Sequence, residues 1–124
     1  MSLPTAVEAA VRAAQAKKAE DTVVLDLRRA ADFTDFFVLL SGTNQRQLVA
    51  ITDAVRDALR EEGYRPTHVE GYPRHEWILL DYYDFVVHVF TPATRAFYDL
   101  ERLWGGASRV ELARIIRQTS SRDV

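Results

Sequence analysis

The chain has no cysteine, one methionine, five glycines and four prolines among its 124 residues. Without cysteine there are no disulfides, thiolate metal sites or cysteine nucleophiles, and a reducing compartment, the cytoplasm, is the expected location. No apolar run approaches the roughly 20 residues that a membrane helix needs, and the N-terminal MSLPTAVEAA lacks the basic-then-apolar order of a signal peptide, so the expectation is a soluble, unprocessed chain. Neither sign of charge dominates: 16 Lys and Arg against 18 Asp and Glu give a formal net charge of −2. Such a balance supplies no broad basic field for gripping a phosphate backbone. Repeats, low-complexity tracts and linkers are also missing, which predicts one domain over residues 1–118 and a polar tail over 119–124. A chain of this length buries roughly two thirds of its unfolded surface and needs no staple.

What is present is a regular succession of periodic segments. Thr5 and Glu8 fit a capping box after Pro4, and Val7, Ala10, Val11 and Ala14 recur at helical spacing, predicting a helix from about Thr5 to Lys18. TVVLDL (Thr22 to Leu27) and DFFVLLSG (Asp35 to Gly42) read as strands, the second apolar on both faces. Asn44 and Gln47 offer a second capping arrangement, and Leu48, Ile51, Val55 and Leu59 mark one face of a helix that ends at Gly63. RPTHVEG, with Pro66 near its start, suggests a short edge strand. Thr91 and Pro92 open a third helix running to Gly105 and Gly106, and Ser108 with Glu111 caps a fourth that carries Val110, Leu112, Ile115 and Ile116, with Arg109, Arg114 and Arg117 interspersed. The order implies an α/β fold: a five-stranded mixed sheet flanked by helices, with a parallel crossover through the second helix and antiparallel pairs at the short links. Four helices leave one face of the sheet less completely covered than the other.

Between the edge strand and the third helix lies HEWILLDYYDFVVHVF, His75 to Phe90, two strands about a turn. Alternation puts Trp77, Leu79 and Asp81 on one face and Glu76, Ile78 and Leu80 on the other; it separates Phe85, Val87 and Val89 from Val86, His88 and Phe90. Neither face is plainly wet. One explanation is a sheet sandwiched between helices; the other is a docking patch around Trp77 and the aromatic turn, since Trp and Tyr anchor interfaces. The turn Asp81-Tyr82-Tyr83-Asp84 fits the second, because tyrosines at a solvent-facing tip bury little on folding and an acidic rim suits a basic partner. In the third helix Phe97, Leu100 and Trp104 are spaced to pack on the sheet, whereas Arg95, Tyr98, Glu101 and Arg102 are expected to face outwards.

Catalytic constellations are thin. SGTNQRQ, Ser41 to Gln47, runs from a strand into a helix N-terminus, where amides can hold an anion, but one glycine falls far short of a P-loop. A nucleotidyltransferase would also need paired carboxylates to hold metal, and Asp81 and Asp84 across a turn substitute poorly. His68, His75 and His88, with Glu70 and Glu76, lack metal-ligand spacing, and His88 among valines reads as a satisfied buried side chain. Neither a metal nor a cofactor is expected. The nucleotide-binding alternative, using Ser41, Gly42 and Thr43, stays open at this stage.

Four segments together resemble one family: DFFVLLSGTNQRQLVAITDAV (Asp35 to Val55), EG at Glu70 and Gly71, EWILLDYYDFVVHVF (Glu76 to Phe90) and RAFYDLERLW (Arg95 to Trp104). They occur in the order and spacing of the ribosomal silencing factor S family, also called the Iojap-like proteins. The resemblance implies a domain similar to the nucleotidyltransferase fold without transferase activity. It also implies a protein that binds the large ribosomal subunit through ribosomal protein L fourteen and blocks joining of the small subunit, repressing translation when nutrients are scarce. It further implies homodimers whose formation competes with ribosome binding. In the family's terms Trp77, Leu79, Asp81 and the turn after it, Tyr82, Tyr83 and Asp84, belong to the docking surface; Arg95, Tyr98 and Glu101, expected on the outer side of the third helix, are further candidate contacts. Two positions depart from the family's pattern: Tyr83 stands where a glycine is usual, and Gly106 where an acidic residue is usual. The arginines after Ala107 are expected either to touch ribosomal RNA or to solvate a terminal helix.

Overall fold

Small apolar side chains at helical spacing make a narrow stripe that can lie close to a neighbouring helix. In the computed structural model, which describes residues 3–71, 76–113 and 115, that stripe is the buried side of α1 (Thr5–Ala16). Pro4, not Thr5, is the N-cap, and no side-chain cap bond forms; proline presets the backbone there, so the expected capping box is unnecessary. The helix ends at Ala16, with Lys17 as its C-cap and Lys18 at a φ of 63°. The larger helix α2 (Gln45–Glu61) is capped as its sequence predicts: Asn44 accepts from the Gln47 amide at 2.8 Å. The Gln47 side chain reaches back to the Thr43 amide at 2.7 Å and also donates to the Lys18 carbonyl, joining the start of α2 to the end of α1.

The strands are β1 (Glu20–Asp26), β2 (Phe36–Ser41), β3 (His68–Glu70), β4 (Trp77–Asp81), β5 (Phe85–Phe90) and β6 (Ser108–Arg109), in the sheet order β3-β4-β5-β2-β1-β6. The sheet is mixed, as expected: β2 and β5 pair in parallel and every other neighbouring pair is antiparallel. Among the described residues it has six strands, not five. Ser108 and Arg109, read in the sequence as the start of a helix, instead pair with Asp26 and Leu25 on the outer edge of β1, and the Val110 amide continues the ladder to the Val24 carbonyl at 2.9 Å. Edge amides of β1 that would otherwise need water make this use of the segment favourable. Beyond it Leu112 and Ile115 are buried on the α1 side of the sheet. Arg114, Ile116 and Arg117 of the expected fourth helix, the tail 119–124, and His75 lie outside the described residues.

Each strand's alternation sorts its side chains between two layers. Val38, Leu40, Ile78, Leu80, Phe85, Val87 and Val89 join the buried stripes of α1 and α2 in one core. Among the described residues, the opposite layer, with Leu25, Phe37, Leu39, Val86 and Phe90, is covered by α3 (Pro92–Tyr98), α4 (Leu100–Leu103) and the loop after β1. Asp99, with a φ of 47°, separates α3 from α4 where the sequence suggests one continuous helix. Two helices of 7 and 4 residues cannot cover a six-stranded sheet, and the shortfall falls on β4, whose Trp77 and Leu79 remain half-buried.

Candidate docking face

β4 is the strand on which the second layer opens to solvent. Its register opposite β5 sets Leu79 across from His88 and Trp77 across from Phe90, and opposite β3 it sets Leu79 beside Glu70 and Asp81 beside His68. Trp77 is held on several sides: the Phe90 ring lies 5.1 Å from its own and the Tyr98 ring 4.6 Å. Its Nε1–H donates to Nδ1 of buried His88 at 3.1 Å. Burial pushes the His88 imidazole down to about 3, so it is neutral at physiological pH and keeps the lone pair that accepts this bond. The structure thus bears out burial of His88 but not its expected satisfaction: among the described residues Nδ1 has a partner and Nε2 has none.

The large apolar side chains of α3 and α4 are unusually open. Tyr98 is half exposed, and Phe97 at 80% and Leu103 at 71% exposure bury little against their own chain. Phe97 was expected in the core; the left-handed turn at Asp99 changes the phase of the following residues, so Leu100 and Trp104 pack on the sheet while Phe97 points away. Phe33, from the loop after β1, extends the aromatic surface through contacts with Phe37 and Trp104 at 5.9 and 5.8 Å. The sequence offered one signal for Phe97 and Leu103: an Asp before Leu-Glu-Arg-Leu, a residue that tolerates the left-handed region and favours helix starts.

The hairpin tip divides its two tyrosines. Tyr83 is 73% exposed with a φ of 73°, and its amide donates to Asp81 Oδ1 at 2.8 Å. Tyr82 is 6% exposed and stacks on Phe85 at 5.0 Å, in the layer that α1 and α2 cover. The expectation that both rings are solvent-facing is thus corrected: alternation past Asp81 returns Tyr82 to the main core, and only Tyr83 and exposed Asp84 present themselves outside. Asp81 and Glu70 lie on the Trp77 side and give that edge its acidic character.

Arg95 is the second correction. It is buried at 8% exposure, with Nη1 donating to Ser41 Oγ at 2.8 Å and Nε to Glu101 Oε1 at 2.9 Å. Glu101 also approaches Arg109 at 3.5 Å, and the hydrogen bond from Arg95 holds its carboxyl below the usual carboxylate range. A buried guanidinium must be matched, so Arg95 and Glu101 form a brace fastening α3 and α4 to the end of β2 instead of facing outwards. Of the nine residues expected at the surface, the fold brings Trp77, Leu79 and Tyr98 into one patch, sets Asp81, Tyr83 and Asp84 at its end, and withdraws Tyr82, Arg95 and Glu101 into packing or bracing.

The Ser41-Gly42-Thr43 loop is engaged internally. Gly42 N–H donates to Phe90 O, Thr43 N–H to Gln47 Oε1 and Leu48 N–H to Asn44 O. A Cβ on Gly42 would lie 2.9 Å from the Leu48 amide, so this glycine admits the close approach of α2 and not of a ligand. Among the described residues no group of three or more His, Cys, Asp or Glu is arranged to hold a metal ion.

Comparison with known proteins supplies the family. The family model described as ribosomal silencing factor during starvation, RsfS, matches residues 1–124. A ribosomal silencing factor RsfS of Halalkalibacterium halodurans is 39% identical over 116 residues, 94% of this chain and 99% of the relative. The chloroplastic protein Iojap of Zea mays is 39% identical over 101 residues, 82% of this chain and 44% of that protein. A crystal structure of a Chromobacterium violaceum protein superimposes with a TM-score of 0.80 at 33% identity, covering 85% of this chain and 88% of the other. With its whole length matched by the family model and the same fold in a relative of known structure, the chain belongs to the RsfS family of ribosomal silencing factors.

Proposed function

We propose that the protein is a non-enzymatic silencer that docks on the large ribosomal subunit through ribosomal protein L fourteen and blocks small-subunit joining by occupying the space that joining requires. The observation that carries this reading is the incompletely covered second face of the sheet, where half-buried Trp77 and Leu79 lie with Tyr98 against Trp77 and exposed Phe97 against Tyr98. Surface aromatics around a half-buried tryptophan have the composition of an interface hot spot, and the acidic edge of Glu70, Asp81 and Asp84 complements a basic ribosomal protein. An interface of at least roughly 1,000 Å² would hold such a complex specifically. Catalysis has no part in the mechanism, and the reading locates the protein with ribosomes in the cytoplasm. The same apolar face suits a second copy of the chain, so self-association and docking would be mutually exclusive.

Cosedimentation with isolated large and small subunits tests the reading, together with light scattering of subunit joining. The expected result is binding to the large subunit alone, inhibited joining, and loss of more than about 2 kcal/mol of affinity in a folded Trp77→Ala variant. Retention by neither subunit would refute the function. Undiminished affinity in Trp77→Ala would remove this face from the interface.

A further inference from the structure

We propose that His88 is the positioning residue of the docking face: its Nδ1, bonded to the Trp77 indole from the sheet side, fixes the orientation in which that ring meets the partner. This rests on the docking reading above. Trp77 Nε1–H donates to His88 Nδ1 at 3.1 Å, and the two rings are 5.9 Å apart. For Nδ1 to accept, the single proton of the neutral imidazole must sit on Nε2. Nε2 is fully buried and finds no hydrogen-bond partner among the described residues. A donor left unmatched in the core is unfavourable, and a leucine at this position would avoid it. The imidazole thus sits at a cost in stability, and among the described residues its one polar contact is the indole. The rings of Phe37, at 4.5 Å and edge-on, and Phe90, at 5.8 Å and stacked, hold the imidazole itself in place. A half-buried indole without that bond would be free to turn its N–H towards water. Interfaces gain affinity from anchors held in the bound orientation beforehand.

The test uses the full 15N-labelled chain. It has two tryptophans, so a Trp104→Phe variant assigns the Trp77 indole N–H resonance. His88→Leu removes the acceptor at similar volume; His88→Asn keeps an oxygen near the position of Nδ1. In His88→Leu the urea midpoint should be unchanged or higher. Its Trp77 indole N–H should shift and lose protection from exchange, and affinity for isolated large subunits should fall about tenfold or more. His88→Asn should recover the indole signature and part of the affinity. The proposal is overturned if His88→Leu binds as the wild type does, or if its indole resonance is unmoved. It is equally overturned if His88→Asn loses as much affinity as His88→Leu while keeping its indole bond. Absence of binding by the wild type would instead refute the docking reading, whereas wild-type binding unaffected by His88→Leu would refute only the role of His88.

Discussion

Stability between pH 7 and pH 5 should report His88 directly. The imidazole is 3% exposed, and burial lowers it from an ordinary value of 6.5 to about 3. Between those values the unfolded chain binds a proton that the folded chain refuses, so stability rises with pH across that window and falls on acidification. The contribution is fully present above about 6.5 and is lost progressively towards 3. At pH 5 the unfolded histidine is about 1.5 units below its midpoint, which corresponds to a loss of about 2 kcal/mol relative to pH 7. Asp26, through its hydrogen bonds from Arg28, and Glu101, through that from Arg95, are held below the usual carboxylate range, and the carboxylates are common to the wild type and His88→Leu. Urea denaturation of the wild type and His88→Leu at both pH values isolates the term: the wild type should lose about 2 kcal/mol more than the variant on going to pH 5. Equal losses in the two proteins would show that the folded imidazole accepts a proton freely, which is incompatible with its burial.

Other substitutions probe the supports of the face. Gly63 and Gly71 share a positive φ, at 91° and 95°, but a Cβ on Gly63 meets nothing within 4 Å whereas one on Gly71 would stand 1.9 Å from the Trp77 carbonyl oxygen. Gly63→Ala should therefore cost about 1 kcal/mol, the backbone term alone, and Gly71→Ala at least about 2 kcal/mol more, measured by chemical denaturation; equal costs would refute the close approach. Glu101→Gln should destabilise by about 2 kcal/mol at neutral pH, a figure moderated by the partial exposure of Glu101. Because its carboxyl is held low, that contribution is present above the ordinary carboxylate range and lost as pH falls through the folded value, so the difference between wild type and variant should shrink on acidification below that range in the same assay.

Periodicity made most of the architecture legible. The strict alternation of Trp77 to Asp81 and Phe85 to Phe90 assigned the side chains of the two strands, though not Tyr82 at the tip, to their correct layers, because a one-residue error would have exchanged the layers wholesale. The start of α2 was legible because Asn44 and Gln47 have a short-range job that needs no tertiary context. Failures came where long-range partners decide. Arg95 looks like a surface residue on its own helix, and only Ser41 and Glu101, brought together by folding, make its burial tolerable. Ser108 has helix-capping chemistry, yet the open edge of β1 claims it for a strand. The candidate site was half legible: Trp77 and Leu79 from the pattern, but Phe97 and Leu103 only after the turn at Asp99 is known. Tyr83 shows how a hairpin turn without glycine is closed. It adopts the positive φ that a glycine would take there, and the bond from its amide to Asp81 keeps the turn intact.

The parallel pairing of β2 with β5, from Phe36 with Phe85 to Ser41 with Phe90, has a bearing on when the face comes into being. β1 with β2, and β4 with β5, are local hairpins that can form early, but their union must close a long loop before any contact rewards it. Phe37 and Leu39 come from the first hairpin, Trp77, Leu79 and His88 from the second, and Tyr98 with Phe97 from still later in the chain. During synthesis, a copy still emerging from its ribosome therefore exposes none of the assembled aromatic surface. The aromatic face therefore comes together in a late step, once both hairpins and the segment after them are available.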